Sequence, residues 1–231
     1  RSFYNYLTNK MHLLRENPVK DMDSPKLKKT LPKYLTLDES IQLLDSVDGK
    51  NQERDYCILT LFLNCGLRIS ELVGLNLQDI QGDALRVLGK GNKERIIYVN
   101  EACLQAMEAY EPVRTKILSD RHRTNEPALF LSERGSRISA RRVEQILEKY
   151  LAAAGLSGRG YSPHKLRHTA ATLMYQYGGA DVRVLKEILG HENLSTTEIY
   201  THVSSQQIER AIDSSPLAKV KAPKSQEDSK E

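Results

Sequence analysis

Cysteine is scarce in this chain, and its thiols are not spaced for a disulfide framework or a metal site. The 231 residues include three cysteines, Cys57, Cys65 and Cys103. An odd number without a C-x-x-C pair argues against structural disulfides. Cys57, Leu61 and Cys65 recur at helical spacing, which is typical of a buried helix face. We therefore expect a reducing cytoplasm as the compartment.

Long apolar runs and cofactor motifs are missing as well. The longest mostly apolar stretch, residues 57–67, is interrupted by Thr60 and Asn64 and is too short to cross a bilayer. The sequence contains no Walker-type loop, dinucleotide-binding glycine fingerprint, zinc spacing or cluster of acidic metal ligands. We therefore expect no membrane partner, no metal and no cofactor.

Positive charge is in modest excess but unevenly distributed. The net charge is +4, yet residues 1–36 and residues 114–142 each hold eight basic and three acidic side chains, a net charge of +5 in each segment. Two basic segments on a nearly neutral body suit a polyanion such as a DNA backbone. Two solvated surfaces would give the same pattern, and charge alone slightly favours that simpler interpretation.

The most informative stretch is residues 161–202, in which capping residues mark the ends of three short predicted helices. Hydroxyl, carboxylate and proline residues are typical of helix starts, and glycines are typical of helix ends. The residues that predict these boundaries are Ser162, Pro163, Gly178, Gly179, Asp181, Gly190, Ser195 and Glu198.

Side chains suited to phosphoryl transfer lie beside these boundaries. His164 and Arg167 share one face near a helix N-terminus, where free N–H groups favour a phosphate. His191 follows the terminating glycine, and Tyr200 lies one turn into the third helix. Guanidinium groups clamp phosphate oxygens, imidazoles move protons, and a phenol is a nucleophile when cations stabilise its oxyanion. Each residue alone is more often an ordinary side chain, but the combination favours a site.

Residues 66–72, with the sequence GLRISEL, form a second phosphate-ready arrangement. Arg68 lies in a connection between predicted helices, and Ser70 is a candidate cap for the short helix that follows. The alternative interpretation is a surface Arg68 paired with Glu71.

The remaining elements are read from periodicity. Residues 84–88 and 95–99 are short β-type runs around a glycine-rich turn, which predicts a hairpin with Lys90 and Lys93 near its tip. An ordinary charged turn is the simpler alternative. Residues 128–131 are predicted as a third strand. Helices are predicted over residues 1–16, 52–65, 101–119, 139–154 and 204–213, with Pro112 expected to kink or split the third of these. A capping box of Thr36 with Glu39 predicts the start of a further helix.

These motifs, taken in chain order, resemble those of the tyrosine recombinases, most closely the Xer and integrative-element integrase branch. The resemblance rests on GLRISEL at 66–72, HKLRH at 164–168, LGH at 189–191 and YTH at 200–202, and it covers about residues 36–215. It implies a mainly α fold with a small three-stranded antiparallel sheet (α+β), the catalytic-domain fold of that family.

The resemblance also implies a role for each residue. Tyr200 would attack a DNA phosphate and form a 3′-phosphotyrosyl link, and Arg68 and Arg167 would hold the non-bridging oxygens. Lys90, carried on a mobile hairpin, would be the general acid, with Lys93 as the second candidate. The implied catalytic residues are Arg68, Lys90, His164, Arg167, His191 and Tyr200, supported by Glu71.

The implied function is site-specific DNA recombination, in chromosome dimer resolution or in mobile-element integration and excision. The partners would be a double-stranded recombination site, a homotetramer on DNA and accessory proteins, in the cytoplasm of a prokaryote. The expected DNA contacts are Lys93, Arg95, Arg137, Arg141, Arg142 and Lys165. A type IB topoisomerase-like enzyme and a non-catalytic DNA-binding regulator remain the alternatives.

The resemblance divides the chain into five segments. Residues 1–16 would be the last helix of a core-binding domain, residues 17–35 a basic linker, and residues 36–203 the catalytic domain. Residues 204–218 would form a C-terminal helix that packs on a neighbouring protomer, and residues 219–231 a disordered tail. Because the chain starts at Arg1 without Met, we expect a fragment that lacks most of the core-binding domain.

Overall fold

A computed structural model of the chain describes residues 2–22, 33–89, 94–190 and 212–218. The chain divides into two compact units, Arg1–Pro32 and Lys33–Glu231. In the first unit, helix α1 spans Ser2–Asn9 and buries none of its side chains. The prediction of a helix over residues 1–16 was wrong at its C-terminal end. The chain leaves the helix after Asn9, and His12 has a φ of 52°, which an α-helix cannot contain.

The second unit is mainly helical and contains a three-stranded antiparallel sheet, which confirms the predicted fold class. Predicted helices 52–65, 101–119 and 139–154 are all present within one residue of their expected bounds. The elements are α2 (Leu37–Asp45), α3 (Gln52–Cys65), α4 (Ile69–Gly74), a 3₁₀ turn (Leu77–Asp79), β1 (Ile80–Gln81), β2 (Ala84–Leu88), β3 (Glu94–Tyr98), α5 (Glu101–Asp120), α6 (Ala140–Ala153), α7 (Pro163–Gln176) and α8 (Val182–Leu189).

The sheet has the order β1-β2-β3, and β2 and β3 form the predicted hairpin, with Leu85 opposite Ile97. Residues 128–131 are not the third strand; that strand is β1. Ala128 and Leu131 make only isolated bridges, to Asn76 and Arg137. The backbone N–H of Leu129 donates to the Leu75 carbonyl at 2.9 Å, and that of Leu131 donates to the Tyr110 hydroxyl at 3.0 Å, so this buried run is held by isolated bonds rather than by a ladder.

Helix α3 forms the centre of the core, packed between α5 and α7. Eight of its 14 residues are apolar, and every residue from Arg54 to Cys65 is buried, as expected of a central helix. The thiols of Cys57, Cys65 and Cys103 are all fully buried, and the Sγ atoms of Cys65 and Cys103 lie 3.8 Å apart. Helix α5 runs unbroken through Pro112, so the proline does not split it.

Capping residues set several helix starts as predicted. Thr36 and Glu39 form a capping box at α2, and the Asp181 carboxylate accepts from the backbone N–H of Arg183 and Val184 at α8. Ser162 occupies the N-cap position of α7 but makes no cap hydrogen bond with its side chain. The prediction that Ser70 caps α4 was wrong: that helix begins at Ile69.

Residues 212–218 pack on the rest of the second unit. Ile212 and Leu217 are fully buried, and the Ala102 N–H at the start of α5 donates to the Ala218 carbonyl at 3.0 Å. Most of the predicted helix 204–213, the tail 219–231 and much of the predicted linker 17–35 lie outside the described residues. Among the helices that the structure describes, none has the length and apolarity to cross a membrane.

Candidate active site

Three guanidinium groups surround one buried carboxylate, that of Glu71. Arg95 binds both carboxylate oxygens, at 2.8 and 2.9 Å. Arg68 donates to Oε1 through Nη1 at 2.7 Å and to Oε2 through its backbone N–H at 2.8 Å. Arg167 Nη1 lies 3.7 Å from Oε2. Arg68 and Arg167, separated by about a hundred residues in the sequence, therefore converge on the same carboxylate. We call Arg68, Glu71, Arg95 and Arg167 the arginine cluster.

The members of the arginine cluster come from three separate parts of the chain, namely the start of α4, strand β3 and helix α7. Gly66 ends α3 with a φ of 60°, and the chain then turns so that Arg68 precedes α4 and Glu71 lies in its first turn. A Cβ at Gly66 would also lie 2.7 Å from Cδ2 of Leu189, so any larger residue there would require the Leu189 side chain to shift. Arg95 comes from β3, and Arg167 from α7.

Arg167 is nearly fully buried and holds two parts of the backbone together. Its Nη1 donates to the Gly66 carbonyl at 2.7 Å, and its Nη2 donates to the Leu189 carbonyl. Burial, together with the nearby charge of Arg68, lowers the pKa of Arg167 to about 10. The guanidinium therefore remains charged at neutral pH.

The arginine cluster binds the C-terminal end of α8, where helix carbonyls lack partners and carry partial negative charge. Arg95 Nε donates to the Ile188 carbonyl at 3.0 Å. Arg167 donates to the Leu189 carbonyl, and Arg68 Nη2 donates to the Gly190 carbonyl at 3.2 Å. Three consecutive carbonyls are thus held by three arginines, immediately before His191 in the sequence.

The arginine cluster carries excess positive charge. Burial acts to raise the pKa of Glu71, but hydrogen bonds from Arg95 and Arg68 outweigh it and keep the pKa below its ordinary value. One carboxylate facing three guanidinium groups leaves a net charge of two positive units. The Arg68 side chain remains 35 % exposed. Such a site is suited to an anion that approaches from solvent.

Helix α7 places His164 one turn before Arg167, and the imidazole is exposed. The next histidine on the helix, His168, packs edge-on against Tyr34, and burial lowers its pKa. Tyr161, just before α7, donates its hydroxyl to Glu39 at 3.1 Å. His164 is therefore the exposed histidine of this helix, three residues before Arg167.

Four predicted site residues lie outside the described part of the chain: Lys90, Lys93, His191 and Tyr200. Their roles stay predictions. Within the described residues, no group of histidine, cysteine and carboxylate side chains is arranged to hold a metal ion.

Two of the predicted DNA contacts, Arg95 and Arg137, have guanidinium groups that are engaged within the fold, and their contact with DNA stays a prediction. Arg95 belongs to the arginine cluster. Arg137 donates to the carbonyls of Val73 and Leu75 and to the Asn76 side chain. Arg141 and Arg142 are exposed at the start of α6, and Lys165 is half-buried on α7. These three remain candidates for DNA contact.

The sequence did contain a signal for the true position of Arg95. Arg95 alternates with Ile97 and Val99, which are buried, so it points to the inner face of β3. A charged residue on the inner face of a strand requires an internal partner.

Comparison with known proteins places the chain in a family. Residues 33–207 match the phage integrase family. Tyrosine recombinase XerC of Caldanaerobacter subterraneus subsp. tengcongensis is 54% identical over 218 residues, which cover 94% of this chain and 61% of that protein. The chain therefore spans less than two thirds of the length of that relative.

Two solved structures share the fold. The XerA recombinase superposes with a TM-score of 0.62 at 27% identity, covering 90% of this chain and 78% of that chain. XerH site-specific recombinase, in a post-cleavage complex with palindromic difH substrate, gives a TM-score of 0.60 at 26% identity, covering 82% of this chain and 55% of that chain. On the family match and these similarities, the chain belongs to the phage integrase family.

Proposed function

We propose that this chain carries the catalytic part of a site-specific DNA recombinase. It breaks one DNA strand by attack of Tyr200 on a phosphodiester, forming a 3′-phosphotyrosyl link and releasing a 5′ hydroxyl. Attack by a 5′ hydroxyl from a partner strand reverses the step and exchanges strands. The observation that carries this proposal is the convergence of Arg68 and Arg167 on Glu71, in a buried cluster with excess positive charge.

The arginine cluster supplies electrostatic stabilisation. Negative charge on the phosphoryl oxygens increases at the pentavalent transition state, and preorganised cations stabilise that charge most when they are shielded from water. Arg68 is partly exposed and available to the phosphate, whereas Arg167 lies deeper and is fixed by two backbone carbonyls. Glu71 orients Arg68 through two hydrogen bonds.

Proton transfer is assigned to residues around the cluster. An unperturbed phenol has a pKa of about 10, so the cations must favour the Tyr200 phenolate, or His164 must accept its proton. His191 donates a hydrogen bond to the phosphate. Lys90, with Lys93 as second candidate, protonates the leaving 5′ oxygen. The phosphotyrosyl link retains the energy of the broken bond, so no ATP is required.

The proposed partner is a double-stranded recombination site. The related XerH structure contains difH substrate, and exposed Arg141 and Arg142 add to the positive charge of this chain. We further propose a tetramer on DNA, assisted by accessory proteins, in the cytoplasm of a prokaryote. Residues 204–218 would link protomers in that assembly, which requires residues 212–218 to leave the packing seen within this chain.

A nicked suicide substrate tests the proposal. The nick lets the leaving strand diffuse away, so the covalent complex accumulates and is detected on a denaturing gel. We expect a covalent band with the unmodified chain and none with Tyr200→Phe, which should still bind DNA. Tyr175→Phe, at an exposed position on α7, is the control. A covalent band of normal yield with Tyr200→Phe would refute the assignment. Supercoil relaxation without paired sites would indicate a topoisomerase instead.

A further inference from the structure

Arg95 differs from the other two arginines of the cluster in how it uses its donors. It is the one whose guanidinium binds both oxygens of Glu71, at 2.8 and 2.9 Å. Its Nε donates to the Ile188 carbonyl at 3.0 Å. The guanidinium therefore contacts protein on all three nitrogens, and its side chain is 14 % exposed against 35 % for Arg68. Arg95 is placed to hold other groups rather than to bind a phosphate itself.

Arg95 also contacts Gly190, the residue that directly precedes His191 in the sequence. Gly190 packs directly on its side chain, so that a Cβ there would lie 3.0 to 3.3 Å from Cδ, Nε and Cζ of Arg95. The carbonyl of the same Gly190 accepts a hydrogen bond from Arg68. Arg95 thus fixes the position of the C-terminal end of α8 relative to the rest of the arginine cluster.

Three parts of the proposed site are joined through this one side chain. The backbone of Arg95 belongs to β3, five residues after Lys90 in the sequence. Its guanidinium neutralises Glu71, the residue that orients Arg68. Its Nε fixes the carbonyl end of α8, which leads to His191.

We propose that Arg95 is a positioning residue for DNA strand cleavage, acting through Glu71 and the end of α8. This inference rests on the proposed function. With Arg95 absent, each Glu71 oxygen would lose one of its hydrogen bonds in a buried site, and Arg68 or Arg167 would turn to replace it. The N–H groups of Arg68 or Arg167 would then no longer be available to bind the phosphate, although no residue that contacts DNA had been removed.

The primary experiment separates cleavage rate from DNA affinity. Arg95→Gln and Arg95→Lys are compared with the unmodified 231-residue chain for single-turnover covalent complex formation at saturating suicide substrate, and for DNA affinity by fluorescence anisotropy. We expect cleavage to fall about 10- to 100-fold, because small displacements of supporting groups have effects of that size, with the dissociation constant changed less than about threefold. Lysine should not restore the rate, because it cannot bind both carboxylate oxygens.

Arg86→Gln is the matched control. Arg86 lies on the neighbouring strand β2 and pairs with the carboxylate of Asp79 at 2.9 Å, but it does not touch Glu71. Its loss should leave the cleavage rate unchanged. A dissociation constant that rises as the rate falls, with a weaker salt dependence, would make Arg95 a DNA contact and overturn the inference.

A double-variant cycle tests whether Arg95 acts through Glu71. If it does, the loss in Glu71→Gln with Arg95→Gln should be smaller than the product of the two single losses, because part of what the second change removes is already lost. Multiplied losses would mean independent roles and would contradict the proposal.

The pH dependence of the cleavage rate distinguishes this role from a purely structural one, because a loss of folding stability alone would not shift it along the pH axis. Three charged groups face Glu71: Arg68 from the α3–α4 connection, Arg95 from β3 and Arg167 from α7. Loss of Arg95 should raise the pKa of Glu71, so the acidic limb of the cleavage profile should move to higher pH. A rate lowered equally at every pH would overturn the inference.

The same shift can be measured without activity, by ¹³C NMR titration of the Glu71 carboxylate in the folded chain. We expect its pKa to be higher in Arg95→Gln than in the unmodified chain, and equal values would overturn the inference. If the unmodified chain forms no covalent complex, the proposed function fails, and this titration still decides whether Arg95 controls Glu71.

Discussion

Gly190 and Arg95 are packed so closely that even a methyl group on Gly190 would require Arg95 to shift. A Cβ on Gly190 would lie 3.0 Å from Cδ of Arg95, and the glycine has a φ of 61°. The glycine that ends α8 is therefore needed for two reasons, one conformational and one steric. Arg95 cannot easily give way, because its guanidinium is held by Glu71 and by the Ile188 carbonyl.

Substituting Gly190 by alanine should separate these two reasons. Gly179 has a nearly identical φ of 63°, but a Cβ there would meet nothing within 4 Å. Gly179→Ala should lose about 1 kcal/mol of stability from backbone strain alone. Gly190→Ala should lose about 1 to 3 kcal/mol more from overpacking, and should also slow cleavage. Urea unfolding of both variants measures the difference, and equal losses would show that Arg95 moves aside freely.

Replacing Arg167 by lysine should damage both stability and cleavage. One ammonium group cannot reach the Gly66 and Leu189 carbonyls together, so one of them loses its partner in a buried site. We expect a loss of about 1 to 3 kcal/mol in the free energy of unfolding and no covalent complex. Arg141→Lys, whose side chain is 73 % exposed, is the stability control and should change little. A stable Arg167→Lys chain with normal covalent yield would contradict the proposed role.

Stability should depend on pH through Glu71. Its folded-state pKa lies below the ordinary value, so its contribution is fully present above the unfolded value of about 4.3 and is lost as pH falls through the lower folded-state value. The unmodified chain should therefore lose stability on acidification faster than Glu71→Gln does. Urea unfolding at a series of pH values measures this, and parallel curves for the two proteins would refute the linkage.

The C-terminal segment 212–218 should stabilise its own chain. Leu217 is fully buried in this packing, so Leu217→Ala should cost about 2 to 5 kcal/mol, whereas half-exposed Leu77→Ala should cost little. Because the contact is within one chain, the melting temperature of the DNA-free protein should not depend on protein concentration. A melting temperature that rises with concentration, and a Leu217 effect that grows with it, would indicate exchange between protomers before DNA is bound.

Local signals in the sequence predicted most helix starts and ends. The capping box of Thr36 with Glu39, and the cap at Asp181, involve residues within one turn of each other, so the sequence contains both partners. The partial failures have the same physical basis. Residues 128–131 have the composition of a strand, but their backbone partners are Leu75 and the Tyr110 hydroxyl, whose positions only the tertiary fold determines.

In the candidate site, too, contacts between residues close in sequence could be predicted, whereas contacts between distant residues could not be predicted from local signals. The pairing of Arg68 with Glu71 spans three residues and was visible as an alternative in the sequence. The convergence of Arg167 on that pair came from the family resemblance, since nothing local links residues 68 and 167. The Arg95–Glu71 pair crosses from a strand to a helix, and a lysine- and arginine-rich hairpin suggested a DNA contact there instead.

The three buried thiols allow the opening of the core to be timed without an added label. Cys57 and Cys65 lie on α3 and Cys103 on α5, all inaccessible to solvent, and burial raises the pKa of the Cys57 and Cys103 thiols. A colorimetric disulfide reagent attacks only exposed thiolates, so colour develops only as fast as α3 and α5 come apart. Cys65 directly precedes Gly66, whose carbonyl binds Arg167. Slower colour development after addition of a DNA duplex would therefore report, in real time, that the bound duplex stabilises the packing of α3.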